Sequence, residues 1–199
     1  MNTVIAISAL GSALAVSGCC NPASSSSLAV SLDAQQTNQW CWAASGTMTM
    51  DFLHPASNVQ ECDEANREFG RTDCCSTPVP AACVNGGWPE YEKYGFTANQ
   101  TSNAPLSWND LRTQIDCLNK PVAFSWHWNS GGGHMMVATG YFTFDGIHFV
   151  TVNNPLPANP AVTGGGALEI DTYEAYVGGT GFNWSHWDDY YNITYTGGM

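Results

Sequence analysis

The segment Gln35-Gln36-Thr37-Asn38-Gln39-Trp40-Cys41-Trp42-Ala43-Ala44 sets a lone cysteine between two tryptophans at the expected start of a helix. From Cys41 the small or apolar residues Ala44, Ser45, Met48 and Phe52 recur at helical spacing, Asn38 is a capping type just ahead of them, and His54-Pro55 ends the run. Downstream come Gly131-Gly132-Gly133-His134 and then a β-hairpin pattern ending in Asn153-Asn154-Pro155. The chain order is therefore Gln, Cys, His, Asn. That order points to a thiol nucleophile with a histidine partner, and so to acyl transfer.

Each of these residue types answers a chemical need. A thiol at a helix N-terminus meets the positive end of the helix dipole and unpaired backbone amides, which favour thiolate. With His134 beside it, Cys41 becomes half of a thiolate–imidazolium pair that attacks a carbonyl, protonates the leaving amine and then activates water to release the acyl enzyme. The Gln35 side-chain amide and the Cys41 backbone N–H are the expected oxyanion donors. An asparagine amide oxygen would orient the imidazole. With a two-residue Asp145-Gly146 turn, Asn153 shares a face with His134; with a three-residue loop from Phe144, Asn154 does. The other four histidines, His54, His127, His148 and His186, read as surface or satisfied core residues.

The rest of the chain frames this constellation. Its 199 residues suit one domain with a real core. Five Lys and Arg stand against 17 Asp and Glu, a formal net charge of -12, which excludes nucleic acid and an anionic membrane surface as partners. Met1 to Gly18 is an apolar stretch of small and aliphatic residues, shorter than the ~20 apolar residues of a membrane span, and reads as a signal peptide. The small residues before Cys19 resemble a bacterial lipobox, although no Lys or Arg precedes Arg67. Residues 19–27 are thus expected to form a serine-rich tether, lipidated at Cys19 and anchored to a membrane, with the folded domain spanning 28–199. Periplasm, outer membrane and extracellular space all agree with export. Eight cysteines in an exported chain imply disulfides rather than metal ligands. With Cys19 and Cys41 set aside, Cys20, Cys62, Cys74, Cys75, Cys83 and Cys117 remain to pair, and adjacent Cys74 and Cys75 must take different partners.

Leu28 to Leu32 reads as a short strand. Glu61 to Gly70 reads as a second helix, and Ser107 caps a third that runs through Leu118. From Pro121 the pattern turns to strands at 122–125, 135–142 and 147–152, the last two joined across Asp145-Gly146. A helical first half followed by a sheet-rich second half predicts an α+β protein of two lobes with a cleft between them.

Order and local sequence resemble the papain-like cysteine peptidases, especially bacterial members with a Gln-x5-Cys-Trp segment and a Gly-Gly-His strand. Further similarity lies in Gly140-Tyr141 after His134, and in Cys74-Cys75 together with Gly86-Gly87-Trp88. The resemblance implies the papain-like two-lobe fold, an N-terminal helical lobe bearing Cys41 and a C-terminal antiparallel sheet lobe bearing His134. It aligns Gln35, Cys41, His134 and an asparagine with the oxyanion, nucleophile, base and orienting positions, and favours Asn154, just before the proline, with Asn153 as the alternate. It implies a monomeric peptidase without cofactor or metal, acting on protein or peptide substrates. Two other readings fit the same residues: a thiol amidase or transglutaminase-like acyl transferase, and a non-catalytic binding domain stabilised by disulfides.

Overall fold

Residues 20–157 and 165–197 are described by a computed structural model. Helix α1, Cys41–Leu53, is the pivot of the fold. Every residue from Trp42 to Met50 is buried, so this helix has no polar face and must lie inside the molecule. Its small residues permit that: a Cβ on Gly46 would sit 3.1 Å from Pro89 Cβ and 3.2 Å from Glu64 Oε1. Helix α2, Glu61–Glu68, packs beside α1 and stops at Gly70, whose φ of 61° is left-handed. The Cys- and Pro-rich stretch that follows is held by disulfides Cys62–Cys75 and Cys74–Cys83, so the adjacent cysteines do take different partners.

The sheet is wholly antiparallel. Besides α1 and α2 the chain forms β1 (Ser25–Ser27), β2 (Phe96–Gln100), α3 (Trp108–Arg112), β3 (Val122–Trp128), β4 (Gly133–Phe144), β5 (Ile147–Asn154), β6 (Ala167–Thr172), α4 (Tyr173–Val177) and β7 (Trp184–Tyr195). Spatial order is β2-β7-β3-β4-β5-β6, with β1 added against the far half of β4. Alternation along β3 and β4 divides the core. Ala123 and Met135 join Trp40, Trp42 and Met50 on the α1 side, whereas Val122, Phe124, Met136 and Ala138 join Leu111, Ile115 and Tyr176 on the other. As expected, Ser107 caps α3: its Oγ accepts from the Asp110 N–H at 3.1 Å, and the helix continues through a π turn to Cys117. This is the expected α+β architecture, N-terminal helices against an antiparallel sheet.

Three expectations need correction. The run of serines is strand, not tether: Ser25, Ser26 and Ser27 pair with Phe142, Tyr141 and Gly140. Residues 20–27 are further strapped down by the Cys20–Cys117 disulfide and by Arg112, whose guanidinium donates to the carbonyls of Pro22 and Ala23. Serine composition reads as solvated loop, but here the backbone and a covalent link supply the order that the side chains do not. Conversely, Leu28 to Leu32 lies outside any strand; Leu28 donates its N–H to Thr139 O, and Leu28, Val30 and Leu32 cover Met48 and Val137. Finally, Asn38 does not cap α1, whose N-cap Trp40 makes no side-chain cap bond. The signal segment and Cys19 lie outside the described residues.

Candidate active site

An open cleft of about 490 Å³ runs past the start of α1 and is lined by Gln35, Asn38, Cys41, Trp42, Gly87, Trp88, His134, Met135 and Trp187, among others. Cys41 is the first residue of α1, so its N–H belongs to the set that finds no acceptor within the helix. No side chain caps that end of the helix, so its positive pole bears on the Cys41 side chain. The flanking tryptophans fix its position. Trp40 Nε1 donates to Cys83 O at 2.7 Å and Trp42 Nε1 to Asn85 O at 3.2 Å, tying both sides of Cys41 to the disulfide-bound loop. Cys41 is the free cysteine among the described residues.

Strand β4 brings His134 to the same cleft, buried at 7% exposure. Its Nε2 lies 2.8 Å from Asn154 Oδ1. The hairpin shows why this is Asn154. The turn is the two-residue kind, with Asp145 at φ 48°, Gly146 at φ 77° and Phe144 opposite Ile147, and by parity alone that would present Asn153 to His134. A bulge intervenes: Ala138 pairs with Val152 but Gly140 pairs with Thr151, so Thr139 is an extra residue and the parity reverses beyond it. The alternate Asn153 therefore points away from His134, and its Nδ2 donates to Val30 O at 3.1 Å and Ser31 O at 3.2 Å.

Gln35 is 1% exposed and anchored through its backbone, donating its N–H to Pro155 O at 3.0 Å, next to Asn154. Its Nε2 donates to Thr37 O at 2.6 Å, which leaves the second amide hydrogen for a cleft ligand. The next residue is held by α2, where Glu61 Oε2 accepts from the Gln36 N–H at 2.9 Å. Gln35, Cys41, His134 and Asn154 thus come together from four separate segments, while Asn153 does not.

Electrostatics modify the expected thiolate. Burial pushes the Cys41 thiol up, and hydrogen bonds from the backbone N–H groups of Met135, Trp42 and Cys41 itself pull it down by less. Burial likewise pushes the His134 imidazole down, against the Asn154 hydrogen bond and the nearby Glu169 carboxylate. The helix terminus alone is therefore insufficient to ionise Cys41. Ionising Cys41 at this site thus needs a further favourable charge beside the thiol.

The glycines before His134 have unlike tasks. Gly131 and Gly132 take left-handed φ values of 92° and 78° in the β3–β4 turn. Gly133 makes room instead: a Cβ there would lie 2.6 Å from Trp126 O and 2.8 Å from the Trp187 ring. Trp187 in turn meets Trp88 edge to face at 4.9 Å, forming one wall of the cleft. The aromatic tail Trp184 to Tyr191 reads mostly as core, with one or two such rings expected to shield the catalytic pair from water, but the sheet order that carries Trp187 to the cleft has no local signal. Glu68, the carboxylate among the lining residues, and Glu169, behind Asn154, were likewise not singled out.

Residues 24–163 match the family described as papain-like cysteine protease AvrRpt2 (Peptidase_C70). That match extends over more than half of the sequence, and the chain belongs to this family of cysteine proteases. Among solved structures it is similar to digestive procathepsin L 3 of the Tenebrio molitor larval midgut, at 16% identity and a TM-score of 0.44, covering 70% of this chain and 62% of that protein. No curated protein matches the chain.

Proposed function

We propose that the protein is an exported thiol endopeptidase that hydrolyses peptide bonds with Cys41 as nucleophile and His134 as its acid–base partner. The observation that carries this reading is the hydrogen bond between Asn154 and His134, which lines the same cleft as the free thiol of Cys41. Cys41 passes its proton to His134 and attacks the scissile carbonyl, and the tetrahedral oxyanion takes hydrogen bonds from the Cys41 N–H and the Gln35 amide. His134 then protonates the departing amine, and a water deprotonated by the same imidazole frees the acyl group. Asn154 keeps the ring in its working orientation throughout.

Export is supported by the apolar segment Met1 to Gly18 and by three disulfides, which persist in oxidising compartments. Cys19 is the proposed acylation site. With Cys20 bonded to Cys117, a lipid there would hold the domain directly against a membrane rather than on a flexible lead. Intact mass of the mature N-terminus tests this, and an unmodified terminus rejects it.

The activity is tested by release of acid-soluble peptides from casein. Release by the purified protein that is lost in both Cys41→Ala and His134→Ala supports the endopeptidase. Release of amine-linked fragments from purified cell wall, with casein untouched, would reassign the same chemistry to an amidase. A Cys41→Ala protein with full activity would remove the mechanism.

A further inference from the structure

Strand β6 carries its residues the wrong way round for a stabilising edge strand. Its outward positions Leu168 and Ile170 are apolar and 66% and 61% exposed, while the alternate positions Glu169 and Asp171 are acidic and half-buried. A strand selected for packing alone would reverse this pattern. Register explains where the acidic face leads. Glu169 pairs with Val152, and Asn154 lies two residues further on the same face of β5, within diagonal reach. Glu169 Oε1 accepts from Asn154 Nδ2 at 2.9 Å.

The orientation of the Asn154 amide decides the protonation of His134. An asparagine beside an imidazole has two usable orientations, because its oxygen can accept from a ring N–H and its nitrogen can donate to a bare ring nitrogen. Here two neighbours remove the choice. An ionised carboxylate only accepts, so Nδ2 must face Glu169, and a backbone N–H only donates, so Oδ1 must face Leu156 N, 2.9 Å away. The remaining contact, 2.8 Å from Oδ1 to His134 Nε2, is then a bond in which Nε2 carries the hydrogen. Nδ1 is left as the ring nitrogen available to the Cys41 thiol.

We propose that Glu169 is a positioning residue of this site: it locks the Asn154 amide so that His134 is held as the Nε2–H tautomer, with Nδ1 free to receive the thiol proton. The inference rests on the proposed roles of Cys41 and His134. Glu169 forms no ion pair with Lys or Arg among the described residues. Facing it are Asn154 and Asp171, and burial together with the charge of Glu169 pushes the Asp171 carboxyl up. The Glu169 charge acts on His134 in the sense that favours imidazolium, against the burial that opposes it.

The experiment compares full-length wild type, Glu169→Ala and Glu169→Gln. The ring nitrogens of His134 are followed by ¹⁵N NMR, and peptide hydrolysis is normalised to alkylatable Cys41. Wild type shows a single Nε2–H tautomer. Glu169→Ala shows mixed tautomers, about a tenfold lower kcat with little change in KM, and an alkaline limb of the pH profile displaced to lower pH. Glu169→Gln keeps an acceptor for Asn154 without the charge, so it restores most of kcat while its alkaline limb stays displaced. A purely structural role would lower the fraction of alkylatable enzyme and leave the tautomer and the limb in place. That result, or wild-type behaviour in Glu169→Ala, overturns the inference. If Glu169→Ala does not fold, an alkaline limb in Glu169→Gln that coincides with that of wild type overturns it equally. Cys41→Ala separates the two levels: residual hydrolysis in that variant refutes the proposed function itself, whereas its inactivity beside unaffected Glu169 variants refutes only the role of Glu169.

Discussion

Asn153 and Asn154 are neighbours that project to opposite faces of β5, and their side chains have different partners and different expected costs. Asn153 is 2% exposed and spends its amide on the carbonyls of Val30 and Ser31, pinning the segment that leads to Gln35. Asn153→Ala is expected to lose about 1–3 kcal/mol in urea unfolding, since the buried Val30 carbonyl and the part-buried Ser31 carbonyl lose a donor, with kcat per alkylatable Cys41 unchanged. Asn154→Ala is expected to do the reverse, keeping most of the stability while kcat falls about a hundredfold, because the imidazole loses its orienting acceptor. Equal effects of the two substitutions on kcat would contradict this division. Local residue type made Gln35, Cys41 and His134 legible, because a cysteine at a helix start and a glycine-flanked histidine are local signals. The choice between the asparagines was not legible from the residues alone. It hangs on Thr139, beside a strand glycine, Gly140, that hints at a bulge without fixing which residue is extra, and the family resemblance favours Asn154 where the hairpin argument leaves both open.

At the scale of elements, β7 was the largest omission. The tail from Trp184 to Tyr191 reads as mostly core, with a ring or two near the site but no strand neighbours named, and it inserts between β2 and β3 and delivers Trp187 to the cleft. Long-range pairing of this kind leaves no periodic signature that names its neighbours. The strand also carries a buried polar group that holds the second core. Asp189 is 0% exposed; its Oδ2 accepts from Tyr176 Oη at 2.6 Å and Leu106 N at 2.6 Å, and its Oδ1 lies 3.0 Å from His186 Nε2. Leu106 N–H and Tyr176 O–H both donate to the same buried oxygen, so removing the side chain strands two buried donors. Asp189→Ala is expected to cost about 3–5 kcal/mol in urea unfolding at an unchanged m-value. A loss below about 1 kcal/mol would show that the network contributes little. Helices α1 to α3 were legible to within a residue or two because period and caps are local, whereas β1 was hidden by its serines and by a disulfide to a distant cysteine.

The whole molecule is acidic, and its acidity has two separable consequences. Glu61 and Glu64 are buried on α2, and burial raises both carboxyls from the ordinary 4.5 to about 8. The folded protein therefore holds protons that the unfolded chain releases, so stability is greatest near the ordinary carboxyl range and declines as pH rises toward 8. Thermal unfolding should occur at a higher Tm at pH ~5 than at pH ~8, and Glu64→Gln, which cannot ionise, should narrow that gap by about 3 °C or more. A Tm that climbs steadily from pH ~5 to pH ~8 would contradict the assignment. The second consequence concerns substrate. With a net charge of -12 and Glu68 in the cleft wall, hydrolysis of a cationic peptide should lose about threefold or more in kcat/KM as ionic strength rises from ~0.02 to ~0.5 M, with a neutral peptide unaffected. The central claim is that Cys41 and His134 exchange a proton inside the cleft, and the pH dependence of iodoacetamide labelling at Cys41 tests it most directly. In wild type, labelling should persist well below the ~8.5 of a free thiol. In His134→Ala, burial is left as the larger influence on the thiol, and the labelling profile should move to the alkaline side of that value. Superimposable profiles in the two proteins would contradict the pair and leave Cys41 as a buried thiol beside an unrelated histidine.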